Sequence, residues 1–286
     1  MNLDDFDAHR AMITTASGPI SYVDVGTGRA ALFVHGVGTN GYLWRHVIGA
    51  LGPQQRAIAL DLPLHGRSPA APGQDFSLNG LARVVRDFCD ALSLDDVDLI
   101  ANDTGGAVAQ VFAAGTPERL RTLTLTNCDT HDNLPPEAFA PTVELARSGA
   151  LSALAPQLLS DMDLARASAF GTAYEHPEAL SAEMVHAYLD PVLGTPERAH
   201  EFERWIIGLE AGELLAVEPA LEQLTVPTLV VWGTGDPNFE VKWAYWLRDT
   251  IPGVVDVVEL PGARLFFPEE RASELVPLLR RHWASY

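Results

Sequence analysis

Val97-Asp98-Leu99-Ile100-Ala101 runs into Asn102-Asp103-Thr104-Gly105-Gly106 and straight on into Ala107-Val108-Ala109-Gln110-Val111. A short apolar run, a turn and an apolar stretch of helix formers read as a strand, a sharp bend and a helix. A nucleophile elbow needs this order. Its central residue is held exposed at the carboxyl edge of a sheet, and small residues two and three places later let helix and strand pack closely. Gly105 and Gly106 stand at those two places after Asp103. A second reading stays open, in which Asp103 only caps the following helix, a common role for aspartate. A dinucleotide loop is excluded, because no strand is followed by G-x-G-x-x-G.

Similar apolar runs lie on both sides of the elbow. They are Ala30–Val34, Arg56–Leu60, Leu123–Thr126, Pro227–Trp232 and Val254–Leu260. With the elbow strand they make six buried strands. Helical stretches lie between them, at about Ser77 to Leu92, Thr104 to Gly115, about Glu240 to Thr250, and about Glu269 to His282. This alternation predicts an α/β fold with a doubly wound, mostly parallel sheet. From Asn133 to about Pro219 the strand pattern stops, and helix formers are broken by Pro135, Pro136, Pro156, Pro177, Pro191 and Pro196. The expected organisation is core (1–132), helical cap (133–219) and core again (220–286). A connection this long is expected to cover a site.

The 286 residues suit one large α/β domain with an insertion, and 47% hydrophobic with 20% charged residues is ordinary for a globular chain. A net charge of −19 opposes binding to nucleic-acid phosphates or an anionic membrane surface. Cys89 and Cys128 are too few for a disulfide framework and are expected as reduced thiols. The acidic start, Met1-Asn2-Leu3-Asp4-Asp5-Phe6-Asp7, is unlike a secretory signal, and no apolar run reaches bilayer length, so a cytoplasmic location is the expectation. No H-E-x-x-H or paired ligand spacing points to a metal. The expected partner is a small molecule, with no cofactor, no nucleic acid and no membrane, in a monomer or homodimer.

Two further segments follow strands: His35-Gly36-Val37-Gly38-Thr39-Asn40-Gly41-Tyr42-Leu43-Trp44-Arg45, and Asp61-Leu62-Pro63-Leu64-His65-Gly66-Arg67-Ser68. With the elbow, they resemble the α/β-hydrolase superfamily. His35 to Arg45 is most similar to the branch holding haloalkane dehalogenases, epoxide hydrolases and the coelenterazine luciferase of sea pansy. The resemblance covers nearly the whole chain except the cap. It implies Asp103 as nucleophile, an oxyanion hole from the Val37 and Thr104 N–H groups, and structural roles for His35 and His65. His35, Trp44, Asn102, Tyr174, Tyr188 and Phe266 are expected around the substrate pocket. Asp236, in Trp232-Gly233-Thr234-Gly235-Asp236-Pro237, matches the family's supporting acid, beside the plainer reading of an Asp-Pro turn. Asn127 and Asp129 lie near the acid's alternative position.

The family's histidine should fall within Gly262-Ala263-Arg264-Leu265, where its position is occupied by Leu265. A shift of one residue gives Arg264 or Phe266, and His282 is far along the last helix. Without that base, turnover should fall about 10²- to 10⁴-fold. His131 is the candidate replacement, since its strand end borders the site; a solvated turn is the alternative reading. The dehalogenase branch holds its halide with an Asn after His-Gly and a Trp after the nucleophile. Val37 and Thr104 stand there, which argues against dehalogenation. Tyr174 and Tyr188 are candidates for the cap tyrosines that open epoxides, or else are packing residues. The expectation is thus a cofactor-free enzyme acting on a small apolar molecule, by ester or epoxide hydrolysis or with Asp103 as a general base. The alternative is a binding protein that keeps the capped pocket without turnover.

Overall fold

Strands β3 (Ala30–Val34) and β5 (Val97–Asp103) lie side by side at the centre of an eight-stranded sheet. The computed structural model describes residues 1–286. Sheet order is β1-β2-β4-β3-β5-β6-β7-β8, where β1 is Arg10–Thr15, β2 Gly18–Val25, β4 Arg56–Leu60, β6 Leu120–Cys128, β7 Thr228–Gly233 and β8 Val254–Leu260. β1 and β2 pair antiparallel, as do β2 and β4; every other neighbouring pair is parallel. All six expected strands are present, and the β1–β2 hairpin extends the sheet beyond them. The hairpin lacks the apolar run of a central strand: β1 reads Arg-Ala-Met-Ile-Thr-Thr and is largely exposed, as an edge strand can be.

Chain order reverses between β3 and β5, so the loops after these two strands open on the same crevice, where α/β sheets place their ligands. Val34 is paired with Ala101, which brings the His35–Gly38 turn against the end of β5. On the other side of β5, Asp103 is paired with Cys128 across a register irregularity. The site is therefore assembled from the carboxyl ends of β3, β5 and β6.

Glycines permit this closeness. A Cβ on Gly105 would lie 2.4 Å from the His35 carbonyl oxygen, and one on Gly106 would lie 2.3 Å from the Cys128 Cβ. The helix Thr104–Gly115 consequently rests directly on the strand ends, buried for nearly its whole length. Gly105→Ala is expected to lower stability by ~2–3 kcal/mol, because rigid backbone must move to admit the methyl group. Gly115, at the open end of the same helix, has nothing within 4 Å of its Cβ position and is the control. Denaturant unfolding of the two alanine variants distinguishes the sites.

Between β6 and β7 the chain forms no strand, and its helices include Ala140–Arg147, Ala150–Ser160, Ala182–Leu193, Pro196–Ile207 and Ala211–Leu221. The last of these packs on the helices Thr104–Gly115 and Leu78–Leu92 of the sheet layer. The expected boundary at residue 219 falls inside it. No helix is long and apolar enough to cross a membrane. Cys89 and Cys128 are buried free thiols.

Candidate active site

Asp103 has φ 58° and ψ −139°, a conformation that non-glycine residues rarely adopt. Its side chain caps nothing in the following helix. The bend turns the carboxylate back over the β3–β5 crevice, where the Val37 N–H donates to Oδ2 over 2.9 Å. Gly36 makes room: a Cβ there would lie 2.2 Å from that oxygen. Burial raises the Asp103 pKa to about 7, helped by the negative charge of Asp236 and opposed by the N–H groups of Val37 and Thr104.

Asp103 opens onto a cavity of about 400 Å³ lined by 32 residues, 21 of them hydrophobic. Its floor is the sheet edge, at Val37, Thr104, Asp129, Leu265 and Phe266; its walls come from the helical segment, including Phe139, Leu158, Phe170 and Ile206. The only ionisable side chains in the lining are Asp103 and Asp129. No histidine lines the cavity. No group of three or more His, Cys, Asp or Glu side chains is arranged to hold a metal ion.

The expected supporting acid is occupied elsewhere. Asp236 Oδ2 accepts from the Asn127 amide at 2.8 Å, and Oδ1 accepts from the Asn238 N–H at 2.9 Å. Burial raises its pKa to about 6, against these bonds. Two asparagines thus satisfy the carboxylate. Leu265 lines the cavity, and its carbonyl accepts from the Asn102 amide at 3.0 Å. The loop around it is tied to the helical segment. Arg264 donates to the carbonyls of Gly171 and Tyr174, and the Phe266 N–H donates to that of Ala173 at 2.9 Å.

Several residues expected at the pocket lie away from it. His35 is fully buried, with Nδ1 2.8 Å from the Gly36 carbonyl and Nε2 accepting from the Leu62 N–H at 2.9 Å. His65 is bound in the same way, through the Pro63 carbonyl and the Gly38 N–H. Burial lowers their pKa values to about 4 and about 3, so both rings are neutral struts. Trp44 is buried against Phe33, and Asn102 spends its amide on main-chain carbonyls and the Thr126 hydroxyl.

Tyr174 and Tyr188 point to Glu269, donating to Oε2 at 3.0 Å and 2.5 Å, while Arg45 binds Oε1 at 2.9 Å. They join the helical segment to the sheet layer. His131 sits in a left-handed turn with φ 55°; its Nδ1 lies 3.1 Å from Glu218 and its ring stacks on Trp246. It takes no part in the cavity lining, where the expected replacement base would have to stand. Of the six residues expected around the pocket, Phe266 lines it.

The family model for the alpha/beta hydrolase fold matches residues 31–271. The chain belongs to the alpha/beta hydrolase fold family. Haloalkane dehalogenase 2 of Mycobacterium tuberculosis H37Rv is 29% identical to this alpha/beta hydrolase over 273 residues, covering 90% of this chain and 88% of the relative. Haloalkane dehalogenase DbeA from Bradyrhizobium elkani superposes with a TM-score of 0.79 at 22% identity, over 97% of this chain and 99% of that one. The epoxide hydrolase CorEH does so with a TM-score of 0.76 at 21% identity, over 96% and 98%. At these identities the two structures speak for the fold alone.

The curated relative overturns the expectation that argued against dehalogenation. That expectation rested on the Val37 and Thr104 side chains. Val37 and Thr104 line the cavity, and their backbone N–H groups face Asp103.

A consequence for stability follows from the carboxyls. The Asp103 and Asp236 pKa values are raised on folding, so the folded state holds protons that the unfolded chain has lost. Their contribution is favourable below the unfolded value near 4 and declines as pH rises to about 7. Asp103→Asn keeps an oxygen for the Val37 N–H and removes the buried charge. It is expected to raise Tm at pH 8 by ~3 °C or more, with the gain vanishing at pH 4. Thermal melts of both proteins at the two pH values check this.

Proposed function

We propose that this chain is a cofactor-free enzyme that uses Asp103 to displace a leaving group from a carbon atom of a small, apolar substrate, haloalkanes and epoxides being the classes to test. The carrying observation is one carboxylate held in a strained bend, with one oxygen on the Val37 N–H, at the floor of an apolar cavity. The site offers no other activated nucleophile: the hydroxyls in the lining, such as Ser168 and Thr172, have no histidine beside them in it.

Asp103 attacks carbon, the carbon–halogen or carbon–oxygen bond breaks, and the substrate is left as an ester of Asp103. Water then attacks the Cγ of that ester. The negative charge that develops on Oδ2 is met by the N–H groups of Val37 and Thr104, which already favour the ionised carboxylate. Asp236 acts through its charge and its hold on Asn127 and Asn238 rather than by touching substrate. The enclosed apolar walls strip water from the carboxylate and strengthen it as a nucleophile. With Leu265 where a histidine base would stand, release of the ester is the slow step.

The test is a panel of bromoalkanes and terminal epoxides of four to eight carbons, followed by bromide release and diol chromatography. One rapid equivalent of bromide per enzyme followed by slow turnover is the expected pattern. Ligand binding by calorimetry with neither bromide nor diol from any member would instead assign the pocket to a binding protein.

A further inference from the structure

We propose that Asp129 is the proton-transferring partner of Asp103, giving its proton to the oxygen of an opening epoxide and then taking one from the water that hydrolyses the ester. This inference rests on the reading of Asp103 as nucleophile. Asp129 is one residue beyond Cys128, the β6 residue paired with Asp103, so the two carboxyls rise from adjacent strand ends into one cavity.

The side chain of Asp129 has no structural employment. The residue is 1% exposed, and neither carboxyl oxygen has a partner in normal hydrogen-bond geometry; the Thr104 hydroxyl is the side-chain donor set toward it. Its main-chain carbonyl does accept from the Gln110 amide at 2.8 Å, so the backbone alone fixes the strand end. Buried polar groups are ordinarily satisfied, and an orphaned carboxyl facing a cavity is reserved for what enters it. It is also the only ionisable group in the lining besides the nucleophile.

The electrostatics set its resting form. Burial and the charges of Asp103 and Asp236 all disfavour the Asp129 carboxylate, and the Thr104 hydroxyl opposes them only in part. Repulsion between neighbouring carboxylates disfavours ionising both, so the resting pair is one anion, on Asp103, and one acid, on Asp129.

Each step then balances. The Asp103 carboxylate attacks an epoxide carbon, the carbon–oxygen bond breaks, and the oxygen takes the proton of the Asp129 acid. This leaves a hydroxyalkyl ester on Asp103 and a carboxylate on Asp129. Asp129 accepts a proton from water as the water oxygen bonds to Cγ. The tetrahedral oxyanion collapses, expelling the diol oxygen, which takes the proton remaining on the Asp103 carboxyl. Epoxide and water have become diol, with Asp103 ionised and Asp129 protonated as at the start.

The test uses 1,2-epoxyhexane with wild type, Asp129→Asn and Asp103→Asn, reading diol by chromatography and the covalent ester by intact-protein mass spectrometry. Asp129→Ser is run in parallel should the asparagine variant fail to fold. Loss of Asp129 is expected to slow diol formation about 100-fold or more, with any ester that forms persisting on the protein. A merely structural role would not trap the ester. Wild-type diol rates from the Asp129 variants, with none from Asp103→Asn, would overturn the role of Asp129 and leave the nucleophile reading intact. Diol formation by Asp103→Asn would remove that reading and this inference with it, and neither diol nor covalent ester from wild type would overturn this inference alone.

Discussion

Asp103→Asn is expected to lower kcat/KM by about 10⁴-fold or more while leaving the fold and the cavity in place. The amide matches the carboxyl in size and still offers an oxygen to the Val37 N–H, so the strained bend keeps its hydrogen bond. What disappears is the anion that bonds to carbon. Nothing nearby replaces it: Asp236 is turned toward Asn127 and Asn238, and Asp129 is a weak nucleophile in its protonated form. Asp103→Ala, which cannot regain a carboxylate by deamidation, should show the same loss. Steady-state kinetics with bromide detection, beside circular dichroism of both variants, reads the effect. Activity within tenfold of wild type would remove Asp103 from the chemistry.

The second large effect concerns stability. Arg45→Met is expected to destabilise the protein by about 3–5 kcal/mol, because it leaves Glu269 charged and buried without its counterion. Arg45 and Glu269 are 4% and 6% exposed, and the Tyr174 and Tyr188 hydroxyls share the other Glu269 oxygen. The guanidinium also lies 4.2 Å from the Tyr42 ring centroid, and the substitution removes this cation–π attraction as well. Adding Glu269→Gln to Arg45→Met should recover part of the loss, since the amide removes the stranded charge and keeps an acceptor for a tyrosine. Urea unfolding of the single and double variants measures both. A double variant weaker than Arg45→Met alone would show that the loss is one of packing rather than of charge.

The central strands were legible because buried parallel strands are continuous apolar runs, and Asp103 because a strand runs into it and two glycines follow two and three places later. The β1–β2 hairpin was not. Its strands are partly exposed and carry Arg10, Thr14, Thr15 and Pro19, so no apolar run marks them.

Around the site, local pattern stops where long-range geometry begins. Tyr174 and Tyr188 meet Glu269 across 95 and 81 residues of chain, and nothing near either tyrosine reveals that partner. His131 follows the right strand, but a left-handed turn sends its ring to Glu218 and Trp246. Asp129 reads in the sequence as one acid among several in a turn; that its oxygens have no partner depends on every element around it. The expectation against dehalogenation rested on residue type at two positions, which is weaker evidence than a likeness that runs over 90% of the chain.

The most direct test of the account is a single turnover in ¹⁸O-labelled water, with enzyme in excess over a bromoalkane or epoxide. Product and the Asp103 peptide are then analysed by mass spectrometry. An Asp103 ester cleaved at Cγ predicts unlabelled product in this first turnover and ¹⁸O in the Asp103 carboxyl. Labelled product with an unlabelled Asp103 would mean that water attacks the substrate itself, and would contradict the account.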